Sequence, residues 1–205
     1  TGGRGWLTVM ALMLGALAFT KSEGTLLALL TAFAAVLCRA LQTADRQTLP
    51  REALVFISSL ALALLPTIIF QIFFAPNSHT FINGLTSTLK PASLERLRVV
   101  LYFWGIELLS GKWNGFWLLS LAGLILGRGK CLRPALRMIP LTLLLYCLAV
   151  AGVYWINTFF EIGWWLANTL NRILFALTPA VIFWVFLGLE NSASADKIPA
   201  VKPRR

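Results

Sequence analysis

Charge is scarce in this chain. Only 13% of its 205 residues are Asp, Glu, Lys or Arg, where soluble domains carry about 25%. Acid is scarcer still, with 8 acidic residues against 18 basic ones. A charged, water-facing surface is therefore excluded for most of the chain. Histidine occurs once, as His79, in a polar stretch where a solvated side chain is the ordinary reading. Cysteine occurs three times, as Cys38, Cys131 and Cys147, and none of the spacings suits a metal site, a redox pair or a disulfide framework. No P-loop, zinc motif or nucleotide-sugar carboxylate pair is present. The sequence thus implies no metal and no cofactor.

What fills the space is apolar. Hydrophobic residues make up 58% of the chain and the mean hydropathy is +0.77. This predicts an all-α, polytopic integral membrane helical bundle whose first partner is the lipid bilayer. A net charge of +10 would suggest nucleic acid in a soluble protein. Here it fits basic loops anchored on the cytoplasmic side, and no nucleic-acid partner is expected. The chain starts at Thr1 without a recognisable signal peptide, which suggests a cut through a longer protein.

Near the N-terminus, two apolar runs, Trp6–Phe19 and Thr25–Cys38, flank the polar break Thr20-Lys21-Ser22-Glu23-Gly24. As one helix they would measure roughly 50 Å at ~1.5 Å per residue, against a bilayer core of about 30 Å. A lysine and a glutamate would then lie at mid-membrane, where charge is costly and usually marks function. The simpler expectation is a short broken helical hairpin with a polar corner, Gly24 supplying backbone freedom. Lys21 then ends one helix and Glu23 begins the next, both as the helix dipole favours. The corner can be purely structural, or it can also contact an anionic ligand.

The rest of the chain alternates spans and loops. Ala53–Phe74 is long enough to span, with a kink expected at Pro66. Ala75–Ser93 reads as an exposed loop. Leu94–Leu109 has an apolar face at Leu94, Leu97, Leu101, Trp104 and Leu108, and either lies in the outer interface or dips into the bilayer. A turn follows at Ser110–Gly115, then the short apolar run Phe116–Leu126, a basic loop at Arg128–Arg137 and a span at Met138–Ile156. Asn157–Asn171 reads as an aromatic, polar outer segment. Arg172–Leu189 is the last span, with Pro179 inside it, so residues 1–189 form the membrane domain. Glu190–Arg205 reads as a disordered, basic cytoplasmic tail.

The positive-inside rule sets the orientation. With Leu94–Leu109 kept on one side, 12 of the 18 Lys and Arg residues lie inside: Arg4, Arg39, Arg46, Arg51, Arg128, Lys130, Arg133, Arg137, Lys197, Lys202, Arg204 and Arg205. A full crossing by that segment leaves only 6 inside. The first arrangement gathers the Lys21–Glu23 corner, Trp104, Trp113, Glu161, Trp164, Trp165 and Arg172 on the outer side. The tryptophans suit an interfacial belt, or a sugar or lipid site in which flat rings stack on sugar faces. Arg172 is expected to open a helix, where the dipole disfavours a cation. Three accounts stay open for it: snorkelling to the interface, an ion pair with Glu161, or a phosphate held by its planar fork of donors.

The break Phe19-Thr20-Lys21-Ser22-Glu23-Gly24 between two apolar runs resembles the Leu-Thr-Lys-x-x-Gly-like break of the GT-C superfamily of membrane glycosyltransferases. Asn171-Arg172-Ile173-Leu174-Phe175-Ala176-Leu177-Thr178-Pro179 resembles a late helix of those enzymes, in which an outer Arg or Tyr precedes an apolar stretch and a proline. The order of elements across Trp6–Leu189 also agrees. The resemblance implies transfer of a sugar from a polyprenyl-phosphate carrier to an extracytoplasmic acceptor, in a bacterial cytoplasmic membrane. It implies Lys21 and Arg172 as contacts to the carrier phosphate; Glu23, where many relatives have no acid, and Glu161, Trp164 and Trp165, by their place on the outer side, are further substrate-binding candidates. The family's catalytic acid lies in a first outer loop that this chain does not contain. Asp45, on an inside loop, does not match it, so no catalytic residue is expected here. Two other classes remain: a transporter or flippase-like protein, built from broken helices with charges at the break, and a non-catalytic structural subunit. No inverted repeat of the hairpin is evident within the 205 residues.

Overall fold

The computed structural model describes residues 2–20, 22–42, 48–74, 93–156 and 161–195. The helices are α1 (Gly2–Thr20), α2 (Ser22–Gln42), α3 (Thr48–Phe73), α4 (Leu94–Leu108), α5 (Phe116–Leu126), the single turn α6 (Arg128–Cys131), α7 (Met138–Ile156) and α8 (Ile162–Ala195). Short 3₁₀ turns occupy Gly111–Trp113 and Pro134–Leu136. No strand occurs among the described residues. Four segments are long and apolar enough to cross a membrane: Glu23–Gln42, Thr48–Phe73, Pro134–Ile156 and Ile162–Leu189. The protein is an all-helical integral membrane bundle.

Two cores organise it. The first joins α1, α2 and α3 through Ala11, Leu14, Ala18, Ala28, Ala32 and Phe56. Between lipid-facing helices, packing rather than water exclusion holds the contact, so small residues are favoured. Gly15 shows why: a Cβ there would lie 2.5 Å from the Ala63 Cβ. The second core joins α4, α7 and α8 through Val100, Tyr146, Val150, Tyr154, Leu166, Leu170, Leu174 and Leu177. Leu26, Leu27 and Leu30 of α2 pack against it, so α2 is the wall shared by both cores.

Polar contacts fix the two ends. At one end Arg39 donates from Nε and Nη2 to Glu52 at 2.7 and 2.9 Å. Gln42 Nε2 donates to Pro134 O at 2.6 Å, and Trp184 Nε1 to Cys131 O at 2.9 Å. Exposed Arg51, Arg133 and Arg137 belong to this end, the one that the sequence reading expects on the cytoplasmic side. At the opposite end Arg96 Nε donates to Tyr154 O at 3.0 Å and Trp155 Nε1 to Ser93 O at 3.1 Å. Ser93 Oγ also caps α4 by accepting from Arg96 N at 3.1 Å.

Several boundaries differ from the sequence reading. The last span does not open at Arg172. α8 starts at Ile162, because Leu166 and Leu170 continue the buried stripe of Ile173, Leu174 and Leu177 upward at helical spacing. Arg172 therefore sits in the third turn, and the dipole argument for it falls. α8 also runs on to Ala195, six residues past the boundary drawn at Leu189. The second arm of the N-terminal hairpin is a full span rather than a short one. Gly24 is helical without a positive φ. Its role is close approach, since a Cβ there would strike the Leu17 carbonyl oxygen.

The path from α4 to α5 is unusual. Ser93 and Arg96 tie the start of α4 to the outer end of α7, and Phe103 lies beside Gly163 at the start of α8. α4 thus starts beside the ends of α7 and α8 that lie away from the basic end, and its last turn packs on the second core through Trp104 and Leu108. α5 then leads to the basic end, where Gly123 meets Val185 and Gly127 nears Gly188. Its 11 residues cover only about 16 Å. Counting up α8 from Gly188, α5 begins roughly level with Leu177, near the middle of the Ile162–Leu189 span. The non-helical turn between α4 and α5 therefore lies at membrane depth.

Candidate functional site

The N-terminal corner is built by hydroxyls. Thr20 Oγ1 donates to Leu17 O at 2.7 Å and Thr25 Oγ1 donates to Ala18 O at 2.9 Å. These bonds satisfy carbonyls that the end of α1 leaves without helical partners. Lys21 lies outside the described residues. Glu23 is half-buried and within electrostatic range of Tyr146 and Tyr154. Below it, Thr169 Oγ1 donates to Trp165 O at 2.8 Å, so the Tyr154 hydroxyl is the donor in its 2.5 Å bond to Thr169 Oγ1. The Tyr154 and Trp165 rings meet edge to face at 4.6 Å. A small polar network thus lies inside the outer half of the bundle.

The two neighbouring tryptophans do not share a face. Trp164 is 58% exposed, while Trp165 packs against the second core. Glu161 immediately precedes α8, and its backbone oxygen accepts from Trp165 N at 3.1 Å. It is separated from Arg172 by about 16 Å of helix rise, and no ion pair joins them among the described residues. The Glu161 account of Arg172 is therefore set aside by geometry.

Arg172 lies instead on an exposed face of α8 with Trp164, Asn168, Asn171 and Phe175. Spacings of three and four residues stack these side chains one turn above another. Asn168 Nδ2 donates to Trp164 O at 2.7 Å, which leaves its amide oxygen directed away from the helix ladder. The result is a polar strip that runs from the outer end of α8 down into a segment otherwise apolar enough to span. The described residues offer Arg172 no carboxylate.

Sequence reasoning missed a second polar group, at the α4–α5 join. Trp104 Nε1, Glu107 Oε1, Trp113 Nε1 and Trp117 Nε1 are buried without hydrogen-bond partners. Glu107 Oε2 is 3.6 Å from Lys112 Nζ, across the turn. Glu107 and Trp117 carry no motif and no periodic signal. The usable clue was the concentration of tryptophans around the Gly-rich turn Ser110–Gly115.

Burial lowers the Arg96 guanidinium pKa from its ordinary value, yet arginine stays charged, and its bond to Tyr154 O gives that charge a helix C-terminus to face. A cavity of about 40 Å³, lined by Leu7, Met10, Val36 and Phe56 with Arg39 and Glu52 at its rim, is apolar and belongs to the basic end, away from these groups. No family model, curated protein or solved structure matches the chain.

Proposed function

We propose that this chain is the carrier-binding membrane region of a glycosyltransferase that takes sugar from a polyprenyl-phosphate carrier, in a bacterial cytoplasmic membrane. One observation carries the reading. Arg172, flanked by Asn168 and Asn171, is exposed on a spanning helix with no acidic partner among the described residues. Charge inside a membrane is retained for function by default. A planar guanidinium suits a phosphate, which it grips with two parallel bonds. The apolar flank of α8 below Arg172, with Phe175, Ile182, Phe183 and Phe186 exposed, suits a long isoprenoid chain. Glu23, at the corner, is a further candidate for the sugar-bearing end, and Lys21, outside the described residues, for the phosphate.

In this role Arg172 holds the phosphate as negative charge builds on it during departure of the sugar. The base that activates the acceptor is supplied from outside this chain. The test is transfer activity in membranes as a function of carrier concentration. Arg172→Lys keeps the charge and loses the fork, so the carrier KM rises about tenfold. Arg172→Glu repels the phosphate and abolishes transfer while the protein remains folded in detergent. Unchanged carrier KM in Arg172→Lys and persistent transfer in Arg172→Glu contradict the reading.

A further inference from the structure

We propose that the break between α4 and α5 is a binding site for a neutral, polyhydroxylated ring such as a sugar, held by Glu107 and the indole N–H groups of Trp104, Trp113 and Trp117. The proposal stands on this join alone and does not need a phosphate at Arg172.

Three buried N–H donors and one buried carboxylate oxygen lack partners here. Buried polar groups in native proteins are almost always paired, and each unpaired one is destabilising. The four groups fall in two pairs on either side of one short turn. Trp104 and Glu107 are one turn apart on α4. The Trp113 and Trp117 rings meet at 5.5 Å. Lys112 bridges the turn to Glu107. All three tryptophans pack against the same core.

The backbone shows where the two helices part. Asn114 and Gly115 both adopt left-handed conformations, with φ of 46° and 76°. The 3₁₀ turn before them breaks the helix at membrane depth. Such non-helical backbone is tolerated there only where protein buries it or where it lines a polar cavity. Asn114 takes the left-handed region as the cap of the 3₁₀ turn, as asparagine readily does.

The inventory of unpaired groups selects the ligand. Indole N–H only donates, and an ionised carboxylate only accepts. A phosphate offers acceptors alone and leaves the Glu107 oxygen without a donor. An ammonium offers donors alone and leaves the indoles unpaired. A hydroxyl both donates and accepts, and several on one ring serve all four groups. The C–H faces of such a ring match the aromatic surfaces that surround them. A sugar can arrive on a lipid or in solution; the chemistry at the join is the same.

The test uses the protein in phosphatidylcholine nanodiscs, with tryptophan fluorescence and thermal melting as readouts. The probes are monoglucosyl diacylglycerol and methyl glucoside, with diacylglycerol and phosphatidic acid as comparators. A saturable response to either glucoside, absent with both comparators, is expected; the glucoside that acts identifies the source. Glu107→Gln weakens that binding about tenfold or more, and Trp113→Phe, which keeps a ring and loses the N–H, about threefold. Trp113→Phe carries the test if Glu107→Gln does not fold. No response to either glucoside, meaning that ordered water alone fills the join, overturns the proposal. So does an equal response to diacylglycerol, or wild-type binding in a folded variant.

Discussion

At the scale of single residues, the N-terminal corner owes its shape to contacts smaller than its charges suggest. Thr20 and Thr25 close the end of α1 by bonding the Leu17 and Ala18 carbonyls, and Gly24 lets the two helices touch. Gly24→Ala places a methyl group against the Leu17 carbonyl oxygen. The strain is expected to cost about 1–3 kcal/mol, as overpacking does, and to appear as a lower melting temperature in detergent. Thr25→Val removes one hydroxyl bond at nearly constant shape, with an expected loss of about 1 kcal/mol. Equal stability of both variants to wild type would show that the corner is loose.

Among the elements, α4 depends on its clamp to α7. Arg96 and Trp155 make reciprocal bonds between the start of α4 and the end of α7. Arg96→Ala removes one of them and is expected to speed hydrogen exchange of the α4 amides by about fivefold, for a loss near 1 kcal/mol. Exchange in α2 and α3 should not change. Unchanged exchange in α4 would mean that core packing at Val100 alone positions the helix. The contrast between α4 and α8 shows what sequence can tell. α4 was legible as a helix but not in its buried side: of the face read from sequence only Trp104 and Leu108 pack on the core, Leu94 and Leu101 are exposed, and Val100 with Phe103 turns inward. The start of α8 was not legible, because Asn168, Asn171 and Arg172 lie on its exposed side and disguise a helix whose buried side is continuous. The hairpin was readable from a charged break between two apolar runs. Glu107 was not readable, since an acid in an apolar stretch looks the same whether its oxygen is buried without a partner or turned outward.

At the scale of the whole molecule, the two ends carry different chemistry. Arg51, Arg133, Arg137 and the Arg39–Glu52 pair mark one end, and the Ser93–Arg96–Tyr154 clamp with the outer corner marks the other. Single cysteines at Glu95 and Ala135, both exposed, test the assignment once Cys38 and Cys147 are replaced. Cys131 is buried between Gly127 and Gly188, and burial pushes its thiol up, so it stays unlabelled near neutral pH. A membrane-impermeant maleimide added to intact cells should reach position 95 and not 135. The reverse pattern would invert the bundle and move Arg172 to the cytoplasmic half. The account's central claim, that the polar strip of α8 takes a phosphate-bearing lipid, is tested most directly by equilibrium binding in nanodiscs, comparing polyprenyl monophosphate with the matching polyprenol in wild type and Arg172→Gln. The account predicts that wild type prefers the phosphate about tenfold or more and that Arg172→Gln loses the preference while binding the polyprenol unchanged; equal binding of both lipids by wild type, or a preference that survives in Arg172→Gln, would contradict it.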